Sequence, residues 1–562
     1  MDKIWLKNYP ANVKHEIDPN EYSSLSDLLN QAFQKHGDTP FAVCMEKWMS
    51  YQELDQLSQA LGAWFQAQGL TPGSRIALML PNVPQFAVTM AAILRAGYTC
   101  VNVNPLYTAR ELEHQLKDSG ASAIVILENF AATLSAVIDR TQIQHTVLAS
   151  IGDLLGPFYG RWMTFAVRHL AKMVPEFELP LSDKHRVTSF KQAIAEGRQL
   201  TFKSVPQSLD DIAFLQYTGG TTGLSKGAVL THRNIVAAIL QAETWFAPAL
   251  ARMPDLRKVN SIAALPLYHI FALTLCFLAI RQGSHLTLVP NPREFGKFIE
   301  TLKTRPFHLL PGVNTLFNAL LQHPMFKTID FSNLCLTQAG GMAASEGTAR
   351  AWQAATGSAM IEGWGMSETC AIGTNNPVSQ TAFSGSIGLP LPSIDMAIKD
   401  EQGNSLAQGA SGEICIRGPN VMLGYYKQEE ETRKAFTPDG FMRTGDVGIM
   451  DERGFFRIVD RIKDMIIVSG FNVFPSELEN VISLCPGVVE CAAIGIPDAM
   501  QGETIKVFVV RNDSMLTEDA VAKYCHDNLT GYKRPKYIEF RDELPKSNVG
   551  KILRRELRTT AH

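Results

Sequence analysis

The sequence predicts an α/β protein in three parts. These are a large N-terminal domain of βαβ-type sheets, a small β-rich unit within it, and a smaller α/β C-terminal domain. Two observations predict this. Between residues 50 and 230, helical stretches alternate with short apolar runs, the rhythm of parallel strands covered by helices. From about 384 to 460 the rhythm changes to short strands and Gly-rich turns, and Lys463 to His562 returns to a mixed pattern with many Lys and Arg. The expected boundaries are 1–461 for the N-terminal domain, with the β-rich unit at about 384–460, and 462–562 for the C-terminal domain.

Each element follows from its pattern. Tyr51 to Gln68 reads as an amphipathic helix, Arg75 to Leu80 as a strand and Val83 to Arg95 as a helix. Thr99 to Val103 is a strand, Arg110 to Ser119 a helix and Ala123 to Leu127 a strand. Ile212 to Gln216 is a buried strand by its apolar run. Ser261 through Ile280 holds no Asp, Glu, Lys or Arg, so its length approaches that of a membrane span. Pro266 interrupts it, however, and Tyr268 and His269 put polar atoms inside, which lipid penalises. We read a buried strand at Ile262–Leu265, a loop, then a buried helix, with no transmembrane segment. Gly412 to Arg417 and Gly454 to Val459 supply strands of the β-rich unit.

Composition excludes several classes. With 46% hydrophobic and 19% charged residues the chain is ordinary globular material, neither disordered nor fibrous. Its net charge of -3 gives no general attraction for nucleic acid, so no nucleic-acid partner is expected. The nine cysteines lack C-x-x-C spacing and read as reduced thiols in a cytosolic protein. The N-terminus carries Asp2, Lys3 and Lys7 and no apolar core region, so it is not a secretory signal. The expected location is the cytoplasm.

Tyr217-Thr-Gly-Gly-Thr-Thr-Gly-Leu-Ser-Lys-Gly227 follows the strand at 212–216. Its residues suit a phosphate cradle: glycines let N–H groups converge, hydroxyls add donors, and Lys226 adds a cation. It is not the common nucleoside-triphosphate loop, because Ser225 precedes Lys226 and Gly227 follows it. A flexible polar linker is the plainer alternative, disfavoured by the strand before it and by Ala228-Val-Leu-Thr-His232 after it.

The loop resembles the phosphate-binding signature of the adenylate-forming enzymes: acyl- and aryl-CoA synthetases, luciferases and peptide-synthetase adenylation domains. Further motifs follow in that family's order. They are Glu362-Gly-Trp-Gly-Met-Ser-Glu368, Gly412 to Gly418, Tyr425-Tyr426, Thr444-Gly-Asp446, Asp460-Arg-Ile-Lys-Asp464 and Pro545-Lys-Ser-Asn-Val-Gly-Lys551. Within the family, Asn102 to Glu113 and Asp439 to Asp446 are most similar to bacterial long-chain fatty acyl-CoA synthetases. The resemblance implies an acyl-CoA synthetase-like fold whose C-terminal domain moves. It also implies a two-step reaction using ATP, Mg²⁺ and coenzyme A. A fatty carboxylate attacks the α-phosphate of ATP, releasing pyrophosphate, and the CoA thiol then attacks the acyl carbon and expels AMP. No general base is needed first, so catalysis is mainly positioning and charge control. The alternatives are an aryl- or short-chain acid CoA ligase, or an acyl-AMP ligase that loads a carrier protein.

The resemblance also implies residue roles. Lys551 bridges the carboxylate and an α-phosphate oxygen. Glu368, helped by the Thr218 hydroxyl, holds Mg²⁺, a hard cation that keeps phosphate oxygens in its shell. Thr218, Gly219, Gly220, Thr221, Thr222, Gly223 and Lys226 cradle phosphates. Glu362, Gly363, Trp364, Gly365, Met366 and Ser367 form one wall of the adenine site, and Gly340, Gly341 and Met342 the other. Trp364 stands where most relatives carry Tyr, and Ser367 where many carry Thr. Asp446, expected at a turn, accepts ribose hydroxyls, with Arg461 as a second ribose or phosphate partner. Lys463 marks the hinge about which rotation withdraws Lys551 and presents Ser469, Gly470 and Phe471 to the CoA arm. His269 matches a carboxylate-pocket motif. Ile270, Phe271, Leu273, Phe277, Val313, Leu316 and Phe317 line an acyl tunnel or belong to the core; periodicity does not separate the two. Each role has a plainer counterpart: a surface lysine, a helix-start acid, a surface ion pair or a buried histidine.

Residues 154 to 177 join Phe158, Tyr159, Trp162, Phe165, Leu170 and Met173 with Arg161, Arg168, His169 and Lys172. This reads as a basic amphipathic helix suited to reversible contact with an anionic membrane surface. The alternatives are a helix packed on its own domain and a homodimer contact.

Overall fold

The computed structural model describes residues 3–180, 185–218, 225–253, 255–469, 471–498, 501–547, 550 and 552–559, with only the backbone of Asn472. Gly219, Gly220, Thr221, Thr222, Gly223, Gly470 and Lys551 lie outside the described residues.

Two large sheets are built from the first 425 residues. In one, the parallel strands Pro40–Cys44, His285–Leu288, Asn260–Ala263, Leu309–Gly312, Leu336–Ala339 and Met360–Trp364 run side by side, with short antiparallel strands at both edges. In the other, Ile212–Thr218, Thr99–Asn102, Arg75–Met79, Ala123–Leu127, His145–Ala149 and Arg186–Ser189 are parallel, and Lys226–Thr231 returns antiparallel beside Ile212–Thr218. The helices between them start where local chemistry says they should. Ser50 and Glu53 form a reciprocal capping box before Tyr51–Ala67, and Thr108 and Glu111 do so before Ala109–Ser119. Pro84 opens Pro84–Arg95, where its missing N–H is no loss.

The apolar stretch at 261–280 becomes the strand Asn260–Ala263 and the helix Ile270–Gln282. Among the described residues no helix is long and apolar enough to cross a membrane. All nine cysteines are free, and all but the half-buried Cys335 are buried, where burial raises most of their thiols above the ordinary value.

After residue 390 the strands Asp395–Lys399, Gly412–Arg417, Met442–Met450 and Phe456–Arg461 form an antiparallel sheet. Asp446 is not at a turn. It sits inside Met442–Met450, opposite Arg461. The turn-like signal of Thr444-Gly-Asp446 comes from an irregularity in the strand: Gly445 has φ +72° and the register shifts between Glu413 and Cys415.

A separate sheet follows, with Phe471–Val473, Ile466–Val468, Gly502–Arg511 and Val488–Asp498 antiparallel and Tyr537–Phe540 parallel to Gly502–Arg511. Its apolar clusters, around Ile466, Leu478 and Val507 and around Ile494, Phe508 and Leu557, contain no residue before 466. The main core draws on residues up to 458.

The basic aromatic helix is shorter than 154–177. It runs Pro157–Phe165, continues as a π turn over Ala166–Leu170, and ends before Lys172, whose φ is +51°.

Candidate functional site

The site lies beyond the carboxyl ends of the parallel strands, where ligands of open α/β sheets bind. Leu336–Ala339 leads into Gly340, Gly341 and Met342, and its neighbour Met360–Trp364 leads into a 3₁₀ turn at Ser367–Thr369. The two walls expected from sequence are therefore adjacent strand ends.

Trp364 is buried, and its Nε1–H donates to Asp446 Oδ2 at 2.9 Å. Asp446 is 1% exposed. Arg461, directly across the strand pair, brings Nε to 2.7 Å from Oδ1. That approach is an ion pair without hydrogen-bond alignment, so among the described residues Oδ1 has no hydrogen-bond donor. Thr444 Oγ1 accepts the Asp446 N–H at 3.1 Å and fixes the backbone.

Glu368 is buried in the turn after Trp364 and takes Tyr425 Oη on Oε1 at 2.9 Å. Burial holds its carboxyl above the usual range, opposed by hydrogen bonds and by Arg461. The turn packs against the strands Ile212–Thr218 and Lys226–Thr231, and Thr218 pairs with Lys226 across them. Lys226 is ion-paired with Glu431, and its Nζ lies 5.1 Å from the centre of the Tyr425 ring. Tyr425 and Glu431 therefore complete this side of the site. The ordered motif containing Tyr425 pointed to its place, whereas nothing in the local pattern of Glu429–Ala435 marked Glu431.

Glu362 lies within its strand. Its Oε1 accepts the Ala344 N–H at 3.0 Å. Burial pushes its carboxyl up to about 7, with that hydrogen bond working the other way. Gly363, Gly365, Met366 and Ser367 are half-buried around Trp364.

The apolar candidates divide. Ile270, Leu273, Phe277 and Phe317 have no exposed surface. Phe277 packs edge-on against Phe214 at 6.1 Å, and Phe317 against Trp352 at 4.9 Å. Phe271 instead is half-buried and lies over Gly340, with Val313 beside Gly341 and Leu316 next to Gly312. His269 ends the loop before Ile270–Gln282, and its carbonyl takes the Leu273 N–H at 3.1 Å. Burial pushes its imidazole down to about 4, so the ring is neutral at pH 7.

The C-terminal part meets this wall at Gly550. Gly550 has φ +80°, and a Cβ there would stand 2.3 Å from Thr315 Oγ1. Only glycine allows that approach in that conformation. Thr315 opens the helix Asn314–Gln322, which carries Leu316. Lys463 is exposed in the turn Ile462–Asp464 directly after Arg461. Phe471 is 56% exposed and stacks on Tyr532 at 4.8 Å.

Glu368 can offer a metal its carboxylate, and Thr218 its hydroxyl. Among the described residues no cluster of three His, Cys, Asp or Glu could hold an ion alone. That donor set fits Mg²⁺ that takes its other oxygens from phosphates and water.

Residues 29–426 match the family model "AMP-binding enzyme", and 477–551 match "AMP-binding enzyme C-terminal domain". A long-chain-fatty-acid–CoA ligase of Escherichia coli O157:H7 is 47% identical over 563 aligned residues, covering 100% of this chain and 99% of that one. Its Yersinia pestis counterpart is 48% identical, covering 99% and 98%. The crystal structure of ATP-bound MatB from Rhodopseudomonas palustris superposes with a TM-score of 0.77 at 28% identity, covering 95% of this chain and 98% of that one.

Proposed function

The chain belongs to the AMP-binding enzyme family, and from that premise we propose that it activates medium- to long-chain fatty acids with ATP and transfers them to coenzyme A. The observation that carries the reading is the joining of distant motifs into one wall. Trp364 and Arg461 both meet Asp446, Glu368 meets Tyr425, and Gly550 abuts Thr315 where the apolar side chains begin. Full-length identity to long-chain-fatty-acid–CoA ligases supports the substrate class.

Each residue then has work that its surroundings suit. Trp364, with Gly340, Gly341 and Met342 opposite, encloses the adenine; an indole face offers a large stacking surface. Asp446 accepts from ribose, and Arg461 supplies the countercharge beside that buried carboxylate. Thr218 and Lys226, with Gly219, Gly220, Thr221, Thr222 and Gly223, hold phosphates by N–H, hydroxyl and ammonium donors. Glu368 and Thr218 would hold Mg²⁺, which when bound neutralises phosphate charge; Tyr425 orients the carboxylate by its hydrogen bond. His269, neutral, can donate to a carboxylate without adding charge. Phe271, Val313 and Leu316 take the start of the acyl chain. Lys551 brings a cation between two anions, the term that matters most when a carboxylate approaches a polyphosphate. Rotation about Lys463 brings Phe471 and Gly470 to the CoA arm in the second step.

The test is AMP release from a panel of acids with and without CoA. The reading expects CoA-dependent turnover rising from short to long chains. Preference for aromatic or short acids, or acyl-AMP release that CoA does not relieve, would favour the aryl- or short-chain ligase, or the ligase that loads a carrier.

A second reading concerns the helix Pro157–Phe165. It is fixed from beneath: Gly160 and Gly152 meet so closely that a Cβ on Gly160 would lie 2.1 Å from the Gly152 carbonyl oxygen. Arg168 Nε donates to buried Glu128 at 2.7 Å. Phe158 (84%), Trp162 (58%) and Phe165 (53%) are left exposed, beside Arg161 and Lys172. We propose that this basic aromatic face rests reversibly on the anionic inner surface of the membrane, from the cytoplasmic side. Its rival, a homodimer contact, predicts a mass that rises with concentration and no affinity for vesicles.

A further inference from the structure

Asp446 is covered on both sides. Trp364 Nε1–H sits on Oδ2 at 2.9 Å, Arg461 Nε lies 2.7 Å from Oδ1, and the residue is 1% exposed. A ribose hydroxyl reaches this carboxylate only when one of its two neighbours gives way. Arg461 is held by the strand pair Asp446↔Arg461, and its departure would leave a buried anion without its countercharge. Trp364 is neutral, and its indole makes one hydrogen bond here, which a hydroxyl can replace like for like.

We infer that Trp364 competes with the nucleotide's ribose for Asp446, so that residue 364 sets how strongly the site distinguishes ribose from deoxyribose. The inference rests on the proposed ribose-binding role of Asp446. With the indole present, binding exchanges one donor for another on Oδ2, and the hydroxyl gains little. Without the indole N–H, the free protein holds a buried carboxylate short of a donor, and a ribose hydroxyl supplies what is missing. Tyr at this position would place its only donor at the far end of a different ring. The choice of Trp therefore weakens sugar recognition relative to the same site without an indole.

The experiment is calorimetric titration of the full chain with AMP and with 2′,3′-dideoxyAMP, for the parent, Trp364→Phe and Trp364→Tyr. The quantity read is the ratio of the two dissociation constants. Phe keeps an aromatic face and removes the donor, so stacking losses affect both nucleotides alike and cancel in the ratio. We expect dideoxyAMP to bind the parent less than tenfold more weakly than AMP. In Trp364→Phe the ratio should grow about tenfold or more, as for a hydrogen bond to a charged group. Trp364→Tyr should grow in the same direction, and it decides the matter where the Phe variant does not fold. A ratio unchanged within twofold, with both affinities shifted together, would make Trp364 a packing residue and overturn the inference. A ratio that falls would mean that Trp364 orients Asp446 for ribose, which overturns it as well. Parent protein that binds AMP and dideoxyAMP equally, with no change in either variant, removes the role of Asp446. Parent protein that binds neither nucleotide removes the nucleotide reading altogether.

Discussion

The wall around Trp364 and the unit after residue 466 are built differently. In the wall, polar groups are pinned inside the main core. Asp446 and Glu368 are buried, each held by an aromatic donor from another segment. In the C-terminal unit, Lys463, Ser469 and Phe471 lie at the surface. Phe471 is open to solvent, Gly550 touches the wall through one close backbone approach, and the apolar clusters do not join those of the larger part. A buried hydrogen-bonded wall resists displacement, because moving it would strand unpaired polar groups. A unit with its own core can shift as a body. On the proposed function, this difference would assign nucleotide recognition and the presentation of catalytic groups to separate structures, so substitutions in the two regions should fail in different ways.

The strongest test of that division is Lys551→Ala. Loss of one preorganised charge contact should lower adenylate formation by about 10²–10³-fold. Thioester formation from supplied acyl-AMP should survive, because the wall is intact. Equal loss of both half-reactions, measured by pyrophosphate release and by acyl-CoA formation, would break the comparison.

Next comes the wall itself. Glu368→Gln should raise the Mg²⁺ concentration needed for half-maximal activity, and Tyr425→Phe should do so less, by roughly 10-fold. Thermal unfolding should stay at or above that of the parent, since Gln removes a buried charge that burial disfavours. Full activity in excess chelator would show the metal to be misplaced.

A smaller effect separates packing from chemistry in the same wall. Burial raises the Glu362 carboxyl from 4.5 to about 7. Below about pH 4.5 the group is protonated in both folded and unfolded chains and costs nothing. Between 4.5 and 7 the unfolded chain releases the proton first, so stability falls as pH rises, and the penalty is complete above 7. Glu362→Gln keeps an acceptor for Ala344 N–H. It should stabilise the chain at pH 8 by about 1–2 kcal/mol and by less at pH 5. Denaturant midpoints at the two pH values measure this, and an equal gain at both would remove the titration account.

Much of this was legible in sequence because local rules agree with the fold. The helices read at Tyr51–Gln68, Arg110–Ser119 and Val83–Arg95 form as Tyr51–Ala67, Ala109–Ser119 and Pro84–Arg95, where capping boxes and Pro84 set their starts. The apolar run broken by Pro266 also resolved correctly into strand and helix. Asp446 was misplaced because Gly445 carries the same signal in a strand irregularity as in a turn. The partnership of Trp364 with Asp446 spans 82 residues, a long-range pairing that no local pattern encodes. Among the apolar candidates, Phe277 and Phe271 are alike in sequence. Only packing shows that the first is sealed against Phe214 while the second covers Gly340.

The smallest effect should come from the region furthest from both. Trp162 and Phe165 are exposed on a helix whose underside is fixed by Gly160 and Arg168, so replacing both by Gln should leave folding unchanged. If the face rests on lipid, the double variant should bind anionic vesicles several-fold more weakly, since apolar insertion and basic attraction contribute together. Added salt should release part of the parent, because screening weakens only the basic contribution. Turnover on dissolved octanoate should stay at the parent level, while turnover on vesicle-borne oleate should fall. Long chains partition into bilayers, so an entrance held near lipid shortens their path through water. A loss shared equally by both acids would mean general damage to the enzyme. Unchanged vesicle binding would leave the helix as a structural element or a homodimer contact.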